Sequence, residues 1–301
     1  MNTLKTLVIL IAVVAMTGTA VAQSNYNPRY GDTRFNTLPR GAMVSKIPWV
    51  GSWWAYKSDG IANRWDGGFA GSSSDSDRYN DFNCENSAKL SPAEKMDCYL
   101  GRGDKVDTDK LSAYLKAKGE NEDAVDDLYE KRRELVRKLN DLIEEHSGES
   151  GWTWKDTDEG KEYLEIQDKI KEHTDALDEV QSGWTIDTAT EYEVMHHGTG
   201  QFGVESWFGH CNAWAAAAIM EPEPRKSSTA GGIEFTAADA KALITEGWME
   251  CQSSFFGSRN DFDETEDSRA KVNYADITAA TFHIYFADQI GLKDKSFVID
   301  R

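Results

Sequence analysis

The segment from Glu205 to Ile219 is the feature that most constrains how this chain can fold. It reads Glu-Ser-Trp-Phe-Gly-His-Cys-Asn-Ala-Trp-Ala-Ala-Ala-Ala-Ile, with Cys211 at its centre. Because Ala is the strongest helix former, we predict a helix over residues 212–219. A proline at position 222 ends that helix, since proline lacks the backbone N–H and clashes with the preceding turn. Cys211 is therefore predicted at or near the first turn of a short, buried helix.

A cysteine in this position has two opposed interpretations. The unpaired N–H groups and the positive dipole end of a helix favour a thiolate there. Cysteine nucleophiles of papain-like and transglutaminase-like enzymes occupy this place. The alternative is a small core residue, which is the commoner role of cysteine. From Cys211 and its neighbours alone, the choice stays open.

Residues 1–22 have the pattern of a secretory signal peptide. Lys5 supplies positive charge, residues 7–16 form an apolar stretch, and Ala20-Val-Ala22 is a cleavage motif. The apolar stretch is too short to span a bilayer comfortably, and no later stretch is long enough. We expect a secreted protein, extracellular or periplasmic, whose mature chain begins at Gln23.

The charge of the chain argues against two classes of partner. The 301 residues carry a formal net charge of −19. Such a charge repels nucleic acid and anionic lipid, so we expect neither nucleic acid nor a membrane as a partner.

The four cysteines are expected to differ in role. Export permits disulfides, and Cys84 and Cys98 form the natural pair because they lie 14 positions apart across a loop-like segment. Cys211 and Cys251 remain. A bridge between these two would remove the nucleophile, and we favour a free Cys211.

Composition divides the mature chain into three regions. Residues 23–108 are rich in aromatic residues and are expected to pack on the core. Residues 109–182 form a charged antiparallel helical hairpin, with a short helix broken at Gly119, a long helix from Asp123 to His146 and a second one over about 157–181. Residues 183–301 form the core that carries the chemistry. The apolar stripes of the hairpin are Val125, Leu128, Leu135, Leu139 and Leu142 on one helix, and Tyr163, Ile166, Ile170, Leu177 and Val180 on the other.

The aromatic-rich region contains clustered tryptophans, seen in Pro48-Trp-Val-Gly-Ser-Trp-Trp-Ala-Tyr56. They could form a platform for carbohydrate or a substrate groove, but burial in a core or seam is the favoured interpretation. Further along, Ser91 and Pro92 predict the N-cap and first position of a short helix.

Local patterns in the last region predict a mixture of strands and helices. Residues 185–194 are polar and strand-like, and residues 233–235 form a brief extended piece. Thr236 and Asp239 form a variant capping box at the start of a helix that runs to about Glu246. Residues 281–286 and 296–300 alternate in polarity, which predicts two strands.

A thiolate acyl-transfer enzyme needs a base for the thiol proton and a third group that orients this base. His283 is the best candidate for the base, because a strand-borne His after a helix-borne Cys is the order of papain-like and transglutaminase-like folds. Asp300, on the next strand, could accept from the far imidazole nitrogen. His210 adjoins the cysteine and cannot easily face its sulfur. The other histidines lie in a nearby loop, at 196 and 197, or in the charged hairpin, at 146 and 173.

Several segments in order resemble the elicitor-type transglutaminases secreted by oomycetes and marine bacteria. The segments that carry the resemblance are Trp49-Val-Gly-Ser-Trp-Trp-Ala-Tyr56, Asp59-Gly-Ile61, Leu90-Ser-Pro-Ala-Glu-Lys95, Trp207-Phe-Gly-His-Cys-Asn-Ala-Trp214, Met220-Glu-Pro-Glu-Pro224, Asp239-Ala-Lys-Ala-Leu-Ile-Thr245, Thr281-Phe-His-Ile-Tyr285 and Lys295-Ser-Phe-Val-Ile-Asp300. They are distributed over most of the mature chain outside the charged hairpin. The host-recognised peptide segment of the oomycete members is not among them.

The resemblance implies an α+β fold with a papain-like core, in which the cysteine begins a helix and His283 and Asp300 lie on antiparallel strands, with the helical hairpin inserted. It implies a calcium-dependent protein-glutamine γ-glutamyltransferase with Cys211 as nucleophile, His283 as base and Asp300 as its orienter. The substrates would be proteins that bear glutamine, and lysine or other primary amines.

Two further sets of residues are expected to support this chemistry. The Cys211 backbone N–H and the Trp207 indole should hold the oxyanion, with Asn212 beside them. For the implied calcium, an acidic loop offers hard oxygen ligands without EF-hand spacing. Its acidic residues are Asp261, Asp263, Glu264, Glu266 and Asp267.

Two alternatives to a transglutaminase stay open at this point. A papain-like cysteine protease or amidase would use the same trio but resolve the thioester with water. A secreted, non-catalytic binding module would use the tryptophan cluster as its platform and pair Cys211 with Cys251.

Overall fold

The structure is a computed structural model that describes residues 37–64, 79–146, 149–253 and 279–299. These residues are mostly helical, with one small antiparallel sheet of two strands among them. The helices are α1 (Pro92–Tyr99), α2 (Thr108–Glu145), α3 (Asp158–Gln181), α4 (Ala189–His197), α5 (Cys211–Met220), α6 (Ala237–Gly247) and α7 (Ala279–Phe286), and the strands are β1 (Ser228–Ala230) and β2 (Ile233–Phe235).

The described residues divide into two compact units. One unit lies within residues 49–250, and the other comprises the described residues before position 49 and after position 250. Helices α1–α6 and the sheet belong to the first unit, and α7 belongs to the second. None of the helices described is both long and apolar enough to cross a membrane.

Helix α1 lies at the centre of the larger unit and begins as its sequence predicts. The Ser91 side chain accepts a hydrogen bond from the Glu94 backbone N–H, the Glu94 carboxylate accepts one from the Ser91 N–H, and Pro92 is the first helical residue. This capping box satisfies two N–H groups that the helix leaves unpaired. Ala93 is fully buried in the main hydrophobic core.

Charged side chains of α1 connect it to the neighbouring elements. Lys95 Nζ lies 2.6 Å from a carboxylate oxygen of Asp239 at the start of α6, and both side chains are buried. Asp97 accepts hydrogen bonds from the backbone N–H groups of Ala189 and Thr190, at 2.7 and 2.9 Å. These are the first two N–H groups of α4, which have no partner within their own helix. Helix α1 therefore fixes where α4 and α6 begin.

Helices α2 and α3 form the predicted hairpin, but the predicted break at Gly119 is wrong. Helix α2 runs without interruption from Thr108 to Glu145. Its first turns bury Leu111 and Leu115 in the main core, and its later turns pack Leu135 against α3. One Gly in a helix interior costs about 1 kcal/mol relative to Ala. The burial at both ends outweighs that cost.

The hairpin buries most of the predicted apolar stripes. The side chains of the two stripes that are buried are Val125, Leu135, Leu139, Ile166, Ile170 and Leu177, whereas Val180 is exposed. The base of the hairpin packs on the larger unit, since Tyr114 and Leu177 share a cluster with Met195 of α4.

Two predicted strands are helical. The polar pattern of residues 185–194 predicts a strand, but helix α4 occupies Ala189–His197, with Thr188 as its N-cap. The alternation at residues 281–286 also predicts a strand, but the segment belongs to α7. Within α7 the rings of Phe282 and Phe286 lie 5.8 Å apart. These two residues are four positions apart, so the helical spacing brings their apolar rings together.

Other local predictions are confirmed. Residues 233–235 form strand β2, and Thr236 and Asp239 form the capping box of α6. Cys84 and Cys98 form a disulfide. Trp49 and Trp54 are buried, so these two tryptophans pack in the interior and do not form an exposed platform. The prediction of a strand over residues 296–300 is not met at 296–299, which lie outside helices and strands, and Asp300 lies outside the described residues.

Candidate functional site

Cys211 is the first residue of helix α5, and its thiol is free and exposed. The helix forms as its alanine run predicts, and it buries Ala213, Ala217 and Ala218. Cys251 also carries a free thiol. The prediction of a free Cys211 is therefore confirmed, and the alternative, a disulfide between Cys211 and Cys251, is wrong.

The chain just before Cys211 is held in place by an upstream segment. The His210 N–H donates to the Trp53 carbonyl at 2.6 Å, and the Tyr56 N–H donates to the Phe208 carbonyl at 3.0 Å. Ala55 and Gly209 form an antiparallel bridge between these hydrogen bonds. The tryptophan-rich segment thus fixes the entry into α5, and with it the position of Cys211.

A cluster of two histidines and two glutamates lies beside this entry. Glu193 and His197 are four residues apart on α4, His210 directly precedes Cys211, and Glu246 lies near the end of α6. Their ligand atoms all lie within 4.8 Å of one another. We call these four residues the His–Glu cluster.

Each imidazole of the His–Glu cluster lies between both carboxylates. His210 Nε2 is 3.1 Å from Glu193 Oε1 and 2.9 Å from Glu246 Oε2. His197 Nδ1 is 3.4 Å from Glu193 Oε2 and 3.4 Å from Glu246 Oε1. Glu193 and His210 are almost completely buried, whereas Glu246 keeps partial exposure.

The electrostatics of the cluster favour its charged forms. Burial alone would lower the pKa of both histidines, but the contacts with Glu193 and Glu246 outweigh burial. They raise the pKa of His197 to about 9 and that of His210 to about 10. Burial would raise the pKa of Glu246, but the two histidines lower it to about 2. With no other cation present, both imidazoles therefore carry a proton at neutral pH.

Tyr56 lies against this cluster. Its ring stacks on His197 with centroids 5.5 Å apart and meets the edge of His210 at 5.2 Å. Burial is the main reason that the pKa of Tyr56 is raised, and the charges of Glu193 and Glu246 add to it. The Tyr56 hydroxyl is therefore neutral at ordinary pH.

The structure describes some of the other predicted site residues but not all of them. Trp207 is an exposed residue in a turn before α5, and Asn212 is the exposed second residue of α5. His283 lies on α7, in the other unit, and not on the expected strand. The predicted orienter Asp300 lies outside the described residues, as do the five acidic residues predicted for calcium, Asp261, Asp263, Glu264, Glu266 and Asp267.

Sequence reasoning misses three members of the His–Glu cluster. Glu193 and His197 have the i,i+4 spacing that places two side chains on one helix face, but the polar pattern of residues 185–194 indicates a strand. The sequence marks Glu246 only as the end of a helix. The fourth member, His210, is a poor base for its neighbour Cys211, and its ring is in fact directed at the two glutamates.

Comparison with known proteins shows what the segment that contains this site is similar to. Residues 179–301 match the family model described as "Transglutaminase elicitor". The resemblance to elicitor-type transglutaminases is therefore confirmed over this part of the chain, which contains Cys211 and the whole His–Glu cluster.

Among solved structures, the chain is similar to the crystal structure of the GP42 transglutaminase from Phytophthora sojae, at 18% sequence identity and a TM-score of 0.43. The similarity covers 91% of this chain and 57% of that chain, so this chain spans a little over half the length of that protein. No curated protein matches the chain.

Proposed function

We propose that this protein is a secreted protein-glutamine γ-glutamyltransferase, which joins glutamine and lysine side chains through a cysteine thioester. The observation that carries the proposal is the exposed, unpaired Cys211 at the first position of α5, within the segment that matches the transglutaminase elicitor family. A thiol at a helix N-terminus is in the setting that favours a nucleophilic thiolate.

The proposed reaction has two steps at Cys211. The sulfur attacks the carboxamide carbon of a glutamine side chain, the C–N bond breaks, and ammonia leaves with the proton supplied by the base. A lysine amine then attacks the thioester carbon, loses a proton to the base and expels the sulfur. The product is an isopeptide bond, and the free thiol is restored.

His283 is the proposed base, with Asp300 as its orienter. The two histidines of the His–Glu cluster are less suited to this role, because each directs a ring nitrogen at the two glutamates. His210 and His197 both direct a ring nitrogen between Glu193 and Glu246. A nitrogen that holds a proton or a cation there has no free lone pair with which to accept the thiol proton. A papain-like arrangement of Cys211, His283 and Asp300 is part of the proposal.

The oxyanion of the tetrahedral intermediate needs donors close to the sulfur. We propose the backbone N–H of Cys211, which is one of the unpaired N–H groups at the start of α5, and the indole N–H of Trp207. The exposed Asn212 side chain stands beside them as a supporting group.

Calcium dependence is a separate part of the proposal. Calcium prefers oxygen ligands, so the His–Glu cluster, with its two imidazole nitrogens, does not fit calcium. The acidic residues of 261–267 remain the proposed calcium ligands. No step of the reaction above depends on the ion.

The experiment is incorporation of a fluorescent primary amine into a glutamine-bearing protein, with and without added calcium. We expect labelling by the unchanged protein in calcium and its loss in Cys211→Ala. Cys251→Ala is the matched control, because it removes the other free thiol and should keep the labelling.

Other outcomes would contradict the transferase. Ammonia release or peptide cleavage without labelling would assign a hydrolase that uses the same cysteine. Unchanged labelling in Cys211→Ala would remove Cys211 as the nucleophile. No reaction of any kind, with a native thiol that alkylating reagents do not reach, would leave a non-catalytic binding protein.

A further inference from the structure

The His–Glu cluster has the residue types of a transition-metal site. Imidazole nitrogens suit zinc and its neighbours, and carboxylates complete many such sites. Glu193 and His197 come from α4, His210 from the entry to α5, and Glu246 from α6. Four ligands from three segments converge on one point, which is the number that a structural zinc site uses.

The distances within the cluster are short enough for its four residues to share one ion. Ligand bonds of about 2.0–2.1 Å to zinc place neighbouring ligand atoms roughly 3.3 Å apart. The four histidine–glutamate distances are 2.9, 3.1, 3.4 and 3.4 Å, and they involve both oxygens of each carboxylate. With one ligand atom from each residue, the four atoms lie within 4.8 Å of one another, so the side chains would draw together around an ion.

Hydrogen bonds from outside the cluster orient the ligands as they do around protein-bound metals. His210 Nδ1 lies 3.1 Å from the Trp54 carbonyl oxygen, so Nδ1 carries the proton and Nε2 faces the cluster centre. The Ile61 N–H donates to Glu193 Oε1 at 2.9 Å. A ligating histidine usually donates its second ring N–H to a carbonyl or carboxylate in this way.

One buried atom of the cluster lacks a satisfactory partner. His197 Nδ1 is buried and makes no hydrogen bond of acceptable geometry, although both carboxylates lie 3.4 Å away. Buried polar atoms are seldom left in this state. A cation at the centre would satisfy Nδ1 and would also neutralise the two carboxylates.

We propose that Glu193, His197, His210 and Glu246 bind one divalent transition-metal ion of the zinc class. All four positions come from the protein, so the site has no open position and is structural. The bound ion would link α4 and α6 to His210, the residue before Cys211. The ion therefore stabilises the larger unit and the entry to α5, and the site is distinct from the calcium proposed above.

Zinc itself is the probe. The purified, tag-free protein is treated with a chelator and dialysed, and Zn²⁺ binding is measured by calorimetry and by metal analysis after a second dialysis. We expect one Zn²⁺ per chain and a rise in the melting temperature on addition of Zn²⁺. Calcium at the same concentration should neither displace the zinc nor bind in its place.

His197→Gln is the main variant and His196→Gln its matched control. The two histidines are neighbours on α4, but only His197 belongs to the cluster. We expect His196→Gln to bind zinc like the unchanged protein. His197→Gln should lose affinity by more than the roughly 10–100-fold that changes outside the ligand shell cost. Should His197→Gln fail to fold, Glu246→Gln, at the more exposed ligand, takes its place.

Two further measurements keep this proposal independent of the proposed enzyme activity. Cys211→Ala should retain the zinc, because the thiol is not a ligand in the proposal. Co²⁺ in place of zinc should give the visible spectrum of a tetrahedral site, and His197→Gln should abolish it. The absence of stoichiometric zinc binding, or equal binding by His196→Gln and His197→Gln, would mean that protons alone fill the cluster and would overturn the proposal.

Discussion

Gly60 shows how closely the backbone approaches the His–Glu cluster. A Cβ atom at this position would lie 2.1 Å from Glu193 Oε1 and 2.7 Å from His210 Cε1. The residue also has a φ of +51°, in the left-handed region that side chains disfavour. Two independent constraints therefore require glycine here.

Gly60→Ala should destabilise the protein because it meets both constraints. The left-handed backbone costs roughly 1–2 kcal/mol, and overpacking of a buried site adds about 1–3 kcal/mol. The free energy of unfolding, measured by urea denaturation, should fall by the sum of these two costs.

Gly232→Ala is the control for the backbone contribution. Gly232 has a φ of +84° but open space where a Cβ would lie. Its substitution should therefore cost only the roughly 1–2 kcal/mol of backbone strain. Equal losses for the two variants would show that the contacts with Glu193 and His210 do not limit position 60.

Among the elements, α2 joins the core and the hairpin in one helix of 38 residues. Its interior glycine, Gly119, is exposed and has open space where a Cβ atom would lie. Helix α4 depends in the same way on packing outside itself, because Asp97 of α1 binds its first two N–H groups. The neighbours of both helices thus decide where they form.

Gly119→Ala should stabilise the protein by about 1 kcal/mol, because Ala has the higher helix propensity and restricts the unfolded chain. Thermal and urea unfolding would both report the gain. Gly151→Ala is the matched control, since Gly151 also has open space but a φ of +89°. It should destabilise the protein. A loss of stability in Gly119→Ala would mean that α2 is not continuous through this position.

On the scale of the whole molecule, acidic residues outnumber basic ones by 52 to 33. A large net charge destabilises a compact state through self-repulsion, and salt screens that repulsion. Exposed ion pairs, such as those along the hairpin, contribute little that salt could remove. Repulsion should therefore dominate the effect of salt on stability.

We expect the melting temperature to rise between ~10 mM and ~150 mM NaCl, where the screening length falls to about 8 Å. Differential scanning calorimetry at fixed pH, after removal of divalent ions, measures this effect. KCl at the same ionic strength is the control and should act equally. A melting temperature that falls with salt would show that favourable ion pairs outweigh the net repulsion.

The sequence by itself determined the features that depend on neighbouring residues. The start of α5 at Cys211, the cap of α1 at Ser91 and the capping box of Thr236 and Asp239 all follow from local side-chain and backbone chemistry. The apolar stripes of the hairpin follow from helical spacing. The resemblance to elicitor-type transglutaminases is also visible in the sequence, and the family model matches residues 179–301.

In some segments the local sequence pattern indicates one element and the chain forms another. Only the tertiary structure decided the outcome there. The alternation at residues 281–286 indicates a strand, yet the packing of Phe282 on Phe286 accompanies a helix. The His–Glu cluster depends still more on packing, because its members come from three segments. No spacing in the chain predicts that Glu246 meets His210, since only the packing of α6 beside the entry to α5 brings these side chains together.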